Sequence, residues 1–227
     1  VSEAGDPCDV LVTAAFGPEL VGLAALLGPA MKATVSGLKV VARPVGVGLV
    51  ASATGTASVL ARMQPRAVIL VGTCGAYPGA GLVIGDLVLA RSVQLVEPAV
   101  IDEEAAFPEP MCTALDSHAP LTAAIGAQGG RLVDVATTLA VTTSDALAPR
   151  LGQLAGGAVE HLEAFAVASA CAVHRAPFAA VLAVANAVGS AGREQWRDHH
   201  QAAGRTAAGF IGSWLRAGAA GVPTRGW

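Results

Sequence analysis

The chain has 227 residues, 53% hydrophobic and 14% charged, with 27 glycines, 4% aromatics and a mean hydropathy of +0.58. These values exclude a disordered chain and suit a single α/β domain with a core of small residues. The formal net charge is −3, from 14 basic against 17 acidic residues without a basic cluster, so nucleic acid is not an expected partner.

Gly, Pro and polar residues interrupt every apolar run before about twenty residues, so no membrane span is predicted. The opening Val1-Ser2-Glu3-Ala4-Gly5-Asp6-Pro7 lacks a basic region ahead of an apolar one, which predicts no signal peptide and a cytoplasmic location. Cys8, Cys74, Cys112 and Cys171 are scattered without zinc spacing and read as reduced thiols.

Cys8 to Ala14 reads as the first strand, and Gly17-Pro18 punctuates a helix start, with Leu20 to Leu27 as the helix. Glu19 then lies in a first helical turn just past a strand end. It is either a dipole-favoured surface carboxylate or a functional one. Leu38 to Val45 is the second strand, followed by the Gly46-Val47-Gly48 turn and a helix from about Val50 to Met63. That turn can bring backbone close to a ligand, but its spacing is not a dinucleotide fingerprint.

Arg66 to Val71 is a buried strand that runs into a small-residue loop, Gly72-Thr73-Cys74-Gly75-Ala76-Tyr77-Pro78-Gly79. A ligand can lie against such a backbone. Gly85-Asp86 turns the chain into a strand from Leu87 to Val93, with Asp86 read as a turn acid. Residues 97–120 carry many Glu, Asp and Pro and read as a long loop with short helices, suited to a lid or a subunit contact. Arg131 to Thr142 is another strand, and Thr142-Thr143-Ser144-Asp145 can cap the helix that follows.

Val159 and Glu160 end a short strand, and Glu163 stands where a helix begins, with Ala166, Val167, Ala170 and Cys171 behind it at helical spacing. Pro177 breaks that helix. Phe178 to Ala185 is a continuous apolar strand that delivers Asn186 to its carboxyl end. An acid and an amide thus converge on the side of the sheet where α/β proteins bind ligands. Each also has a plain structural reading, as a first-turn glutamate and a turn asparagine. Gly189 to Gln195 is a polar loop, and an amphipathic helix follows from about Trp196 to Leu215. Its adjacent His199 and His200 do not share a helix face and have no third ligand, so no metal is predicted. Residues 217–227 read as a loose tail after a single domain spanning 1–216.

Taken in order, several motifs resemble the nucleoside phosphorylase/nucleosidase superfamily. They are the early helical Glu19, the glycine turn, Val71-Gly72-Thr73-Cys74-Gly75-Ala76, Ile84-Gly85-Asp86-Leu87-Val88, Glu160-His161-Leu162-Glu163, and Pro177-Phe178 through Ala185-Asn186. The resemblance covers nearly the whole chain. It implies a single α/β domain with a mixed central sheet flanked by helices, a homo-oligomer with a dimer favoured, a purine nucleoside as small-molecule ligand, and no cofactor.

It further implies that Glu163 binds ribose hydroxyls above Leu162, which replaces the usual Met. Phe16, Thr73, Cys74, Gly75, Thr143, His161, Arg193 and Trp196 are then substrate-binding positions. Glu19 matches the acid that activates water in the hydrolytic branch. Leu70 stands where the bacterial hexameric phosphorylases carry a phosphate-binding Arg. Asn186 replaces the Asp of adenine-releasing nucleosidases. With Tyr77-Pro78-Gly79-Ala80-Gly81-Leu82 and Gly189…Arg193…Trp196, it looks most like the futalosine hydrolases.

The expectation is therefore an N-glycosyl hydrolase acting on a 6-oxopurine nucleoside, with Glu19 and Asn186 as catalytic residues. The futalosine pattern would set it in menaquinone biosynthesis. A purine nucleoside phosphorylase, a methylthioadenosine/adenosylhomocysteine nucleosidase and a non-catalytic nucleoside-binding protein are the alternatives.

Overall fold

The computed structural model describes residues 7–154 and 156–224. Apolar runs set the frame. In β4 (Ala67–Ala76) and β9 (Phe178–Ala187), successive side chains enter opposite cores. Val68 and Leu70 join Phe178, Ala180, Leu182 and Val184 in one core, while Ala67, Ile69 and Val71 join Ala179, Val181, Ala183 and Ala185 in the other. Period-two alternation with both faces apolar is what a central strand of a covered sheet requires.

Around these two lie β1 (Val10–Ala14), β2 (Lys32–Val35), β3 (Leu38–Pro44), β5 (Leu87–Leu95), β6 (Ala114–Asp116), β7 (Arg131–Thr137) and β8 (Val159–Glu160). They form one mixed sheet in the order β2-β3-β1-β4-β8-β7-β5-β6, with β9 paired to β4 and β5. The pairings β4-β9-β5-β7-β8-β4 close on themselves, so half of the sheet curls into a barrel. A 3₁₀ helix (Gly17–Leu23) precedes α1 (Ala24–Leu27). The other helices are α2 (Leu49–Met63), α3 (Pro98–Ile101), α4 (Ala119–Gly126), α5 (Leu147–Leu154), α6 (Ala164–Val173) and α7 (Gly192–Arg216). α2 and α6 cover one core, and α7, α4 and the 3₁₀ helix cover the other. This is the mixed, helix-flanked sheet expected from the sequence.

Several boundaries differ from expectation. β4 does not stop at Val71 but continues to Ala76, because Gly75 and Ala76 pair with β8 and the whole stretch pairs with β9. The expected Thr73–Gly75 loop is therefore strand. β7 ends at Thr137, five residues early, where the chain leaves the sheet to wall a cavity. The helix over Leu20–Leu27 is a 3₁₀ helix followed by a single α-turn. β2 was not anticipated; it is an edge strand that folds back through the Ser36-Gly37 turn. β6 and the start of α4 fall within the expected 97–120 loop, and α3 is one of its short helices.

The described part of the expected loose tail, 217–224, is held down. Trp214 Nε1 donates to the Ala220 carbonyl at 3.1 Å, Arg66 Nε donates to the Pro223 carbonyl at 2.6 Å, and Ala219 is buried. Residues 225–227, and residues 1–6 of the stretch read for a signal peptide, lie outside the described residues. No helix among the described residues is long and apolar enough to cross a membrane.

Candidate active site

The carboxyl ends of β1, β3, β4 and β9, with β8 and the N-termini of α6 and α7, enclose a cavity of about 410 Å³. Glu19 forms part of its wall. Gly17-Pro18 opens the 3₁₀ helix directly after β1, and Gly204 of α7 lets that helix pass close overhead, since a Cβ there would lie 3.3 Å from Glu19 Cα. Glu19 is only 4% exposed. It is therefore not the surface carboxylate of the alternative reading.

Its Oε1 accepts the Thr73 N–H at 3.0 Å and the Thr73 hydroxyl at 3.2 Å, and its Oε2 accepts the Ala15 N–H at 3.2 Å. Burial raises its pKa from 4.5 to about 7. The Thr73 and Ala15 hydrogen bonds oppose this rise, and the nearby Glu163 charge adds to it. Such a carboxylate is poised to take a proton near neutral pH.

Glu163 sits at the N-terminus of α6 and is also buried. Its Oε1 accepts the Gly48 N–H at 2.7 Å. Gly48 has φ +84°, a conformation that favours glycine, so the β3–α2 turn presents its amide to Glu163 rather than to a ligand directly. His161 Nδ1 accepts the Glu163 N–H at 3.1 Å. Burial lowers the His161 pKa, against the opposing pull of Glu163, so the ring is neutral. The 3.3 Å approach of Nδ1 to Glu163 Oε2 becomes an ion pair only on protonation. Gly72 keeps the space between His161 and Glu19 open; a Cβ there would lie 3.1 Å from His161 Nε2 and 3.2 Å from Glu19 Oε1.

Asn186 is aimed by a bulge. Cys74 pairs with Val184 but Gly75 pairs with Asn186, so Ala185 is the extra residue. The side chain then lies between two glycines. A Cβ on Gly75 would meet Asn186 Nδ2 at 2.9 Å, and one on Gly192 would meet it at 3.1 Å. Nδ2 donates to the Ala187 carbonyl at 2.8 Å, and Gln195 Oε1 accepts the Ala187 N–H at 2.8 Å.

Glu160, not foreseen as a site residue, is a buried anchor beside the cavity. It accepts the Thr142 N–H at 2.9 Å, the Thr142 hydroxyl at 2.6 Å and the Tyr77 hydroxyl at 3.1 Å. Asp145 accepts the Ser190 N–H at 2.8 Å and its hydroxyl at 2.7 Å, joining the same loop to the turn before α7. The 138–146 wall is thus fastened at Thr142 and at Asp145. Of the expected cap cluster, Ser144 accepts the Leu147 N–H at 3.2 Å.

All the residues anticipated for the site line this one cavity: Glu19, Asn186, Glu163, Leu162, Phe16, Thr73, Cys74, Gly75, Thr143, His161, Arg193 and Trp196. Arg193 and Trp196 do so from the first turns of α7, which starts four residues before its expected position. Cys74 is buried, and burial pushes its thiol far up, so it stays protonated and unreactive. Val47 of the glycine turn and Gly189 also line the cavity, as do Val141, Thr142 and Gly192, which were not foreseen. Asp86 is the expected turn acid, accepting the Val83 N–H at 2.9 Å.

A single α/β domain with paired acids and an amide at carboxyl strand ends defines a class, and the sequence places the chain within it. Residues 12–216 match the Phosphorylase superfamily, and the chain belongs to that family. Solved structures agree on the fold. A 5′-methylthioadenosine/S-adenosylhomocysteine nucleosidase from Colwellia psychrerythraea 34H, in complex with adenine, superposes with TM-score 0.82 at 19% identity, covering 96% of this chain and 98% of that one. A futalosine hydrolase mutant of Helicobacter pylori strain 26695 superposes with TM-score 0.81 at 16% identity, covering 92% and 99%. The nucleosidase from Neisseria meningitidis in complex with methylthio-immucillin-A gives 0.79 at 18%, covering 92% and 99%. No curated protein sequence matches the chain.

Proposed function

We propose that the protein is a nucleosidase that hydrolyses the N-glycosidic bond of a purine nucleoside, with a 6-oxopurine as leaving base. The observation that carries this is Glu19, a buried carboxyl with pKa about 7 held by three hydrogen bonds on the wall of a cavity it shares with Glu163. Glu19 takes a proton from water as the water attacks the anomeric carbon. Glu163, with one oxygen on the Gly48 N–H, turns its remaining lone pairs to the ribose hydroxyls. The sugar passes through an oxocarbenium-like state, stabilised by these fixed groups. Asn186, whose Nδ2 is turned to the Ala187 carbonyl, offers Oδ1 to the N–H of the departing base. The nucleosidases and futalosine hydrolase that share this fold support the hydrolytic assignment, and the amide at 186 supports the 6-oxopurine.

Water is favoured over phosphate because the wall carries little positive charge. Leu70 is fully buried in the core, His161 is held neutral, and Arg193 is the one arginine or lysine among the lining residues. A buried phosphate needs more compensation than that.

The test is to incubate the protein with futalosine, inosine, methylthioadenosine and adenosylhomocysteine, each with and without phosphate, and to separate the released bases. Hypoxanthine released without phosphate is the expected result. Release that requires phosphate makes the protein a phosphorylase. Adenine as the preferred product removes Asn186 as the determinant of the base. No release from any of them favours a binding protein.

A further inference from the structure

Trp196 is the large aromatic of the cavity wall, and nothing in a hydrolytic mechanism so far uses it. It lies in the second turn of α7, and its ring stacks on His200 one helical turn later, with centroids 4.2 Å apart and planes inclined by 17°. His200 Nδ1 faces two carbonyls, Trp196 O at 2.9 Å and Arg197 O at 3.1 Å, so that nitrogen carries the proton and the ring is fixed as a platform. Phe16 flanks Trp196 on the cavity side at 6.4 Å. The indole is thus held in one orientation. In that orientation Nε1 donates to Thr73 Oγ1 at 3.2 Å, and Thr73 Oγ1 lies 3.2 Å from Glu19 Oε1.

A hydroxyl has one proton. With the indole N–H donating to its oxygen, that proton is directed to the carboxylate, and each bond in the chain polarises the next. We propose that Trp196 is a positioning residue that acts through the Thr73 hydroxyl to hold Glu19 in its ionised, proton-accepting form. The role in turnover rests on the nucleosidase reading; the hydrogen-bond relay itself does not. The other titratable groups facing Glu19 are Glu163, Cys74 and His161, while α7 presents Gly204 to it and β1 runs on to the Ala15 N–H. None of these changes when the indole N–H is removed.

The experiment follows the three Trp indole N–H signals by ¹⁵N NMR, and the Glu19 carboxyl by ¹³C NMR, across pH 5 to 10. The Trp196 signal is expected to titrate with the Glu19 midpoint near 7 in the unaltered protein, and to lose that step in Thr73→Val. Trp196→Phe keeps the ring but not the donor. It is expected to move the Glu19 midpoint up by roughly one pH unit, and to add nothing in the Thr73→Val background. Thr73→Ser keeps the relay and the midpoint.

In turnover, Trp196→Phe then loses about fivefold in kcat at pH 7 and regains it at pH 9. A Trp196 signal indifferent to Glu19, or equal effects of Trp196→Phe with and without the Thr73 hydroxyl, overturns the proposal. The NMR arms need no substrate, so they decide the relay even if no nucleoside is cleaved.

Discussion

Gly48 donates its N–H to Glu163 Oε1 at 2.7 Å, joining the turn after β3 to the N-terminus of α6 across 115 residues of chain. The bond fixes one carboxylate oxygen and aims the other edge into the cavity. Because the Glu163 charge contributes to the raised pKa of Glu19, the two acids are also coupled. Glu163→Gln is therefore expected to do two things. It weakens nucleoside binding about 10- to 100-fold by removing charge-assisted hydrogen bonds. It also moves the Glu19 midpoint below about 7, opposite to the effect expected of Trp196→Phe. Binding titrations and a carboxyl NMR titration measure the two effects separately.

The buried Glu19 carboxyl also sets a pH dependence of stability. Its folded pKa of about 7 exceeds the ordinary value of 4.5, so between these limits the folded state holds more protons than the unfolded one. Stability from this group therefore falls as pH rises through that window, by about 3 kcal/mol in total. Glu19→Gln removes the slope, although its amide NH₂ cannot accept the N–H bonds the carboxylate takes. Urea unfolding at pH 5 and pH 8 is expected to show the variant gaining on the parent protein at the higher pH. An unchanged difference between the two pH values contradicts the assignment of a buried, proton-binding Glu19.

Asn186→Asp tests the choice of base. The new carboxyl faces the Ala187 carbonyl that now accepts from Nδ2, an arrangement that favours the protonated acid. A protonated Asp can donate to a purine nitrogen, which an amide cannot do as an acid. The ratio of kcat/KM for adenine over hypoxanthine nucleosides is expected to rise at least about tenfold. Competition assays with paired nucleosides measure it, and an unaltered ratio removes residue 186 from base selection.

The frame and three polar residues of the cavity were legible in the sequence because they follow from local signals, whereas the other anticipated cavity residues rested on the resemblance to the family. The apolar run at 178–185 declared a central strand, and Glu19, Glu163 and Asn186 stood out as polar residues at the ends of apolar elements. What it did not disclose depends on long-range pairing. Nothing local distinguishes strand from loop at Gly72–Ala76, since those small residues extend only because β8 and β9 pair with them. Glu160 read as part of a strand end. Its role comes from Tyr77 and Thr142, which are distant in sequence and meet it only in the folded sheet. The bulge at Ala185 is likewise a property of register, invisible until β4 and β9 are aligned.

That bulge leads to a prediction about glycine. Gly75→Ala puts a Cβ 2.9 Å from both Asn186 Nδ2 and Val188 Cγ2. Real Cβ atoms do not come so close, so the Asn186 amide must shift. The variant is expected to lose about 1–3 kcal/mol of stability and a larger share of activity, because the displaced group is the one proposed to meet the base. Gly209→Ala, where a Cβ meets nothing within 4 Å, serves as the neutral control. Thermal unfolding and turnover of the two variants provide the comparison.

The most direct measurement is the pH profile of base release in phosphate-free buffer, for the parent protein and for Glu19→Gln, on the nucleoside that the parent cleaves best. The kcat of the parent is expected to rise with a midpoint near 7 to an alkaline plateau, tracking ionisation of Glu19. Glu19→Gln is expected to bind the nucleoside but release base at least about 100-fold more slowly, with that limb gone. A Glu19→Gln variant with full turnover, or a parent enzyme silent until phosphate is added, would contradict the role of Glu19 in hydrolysis.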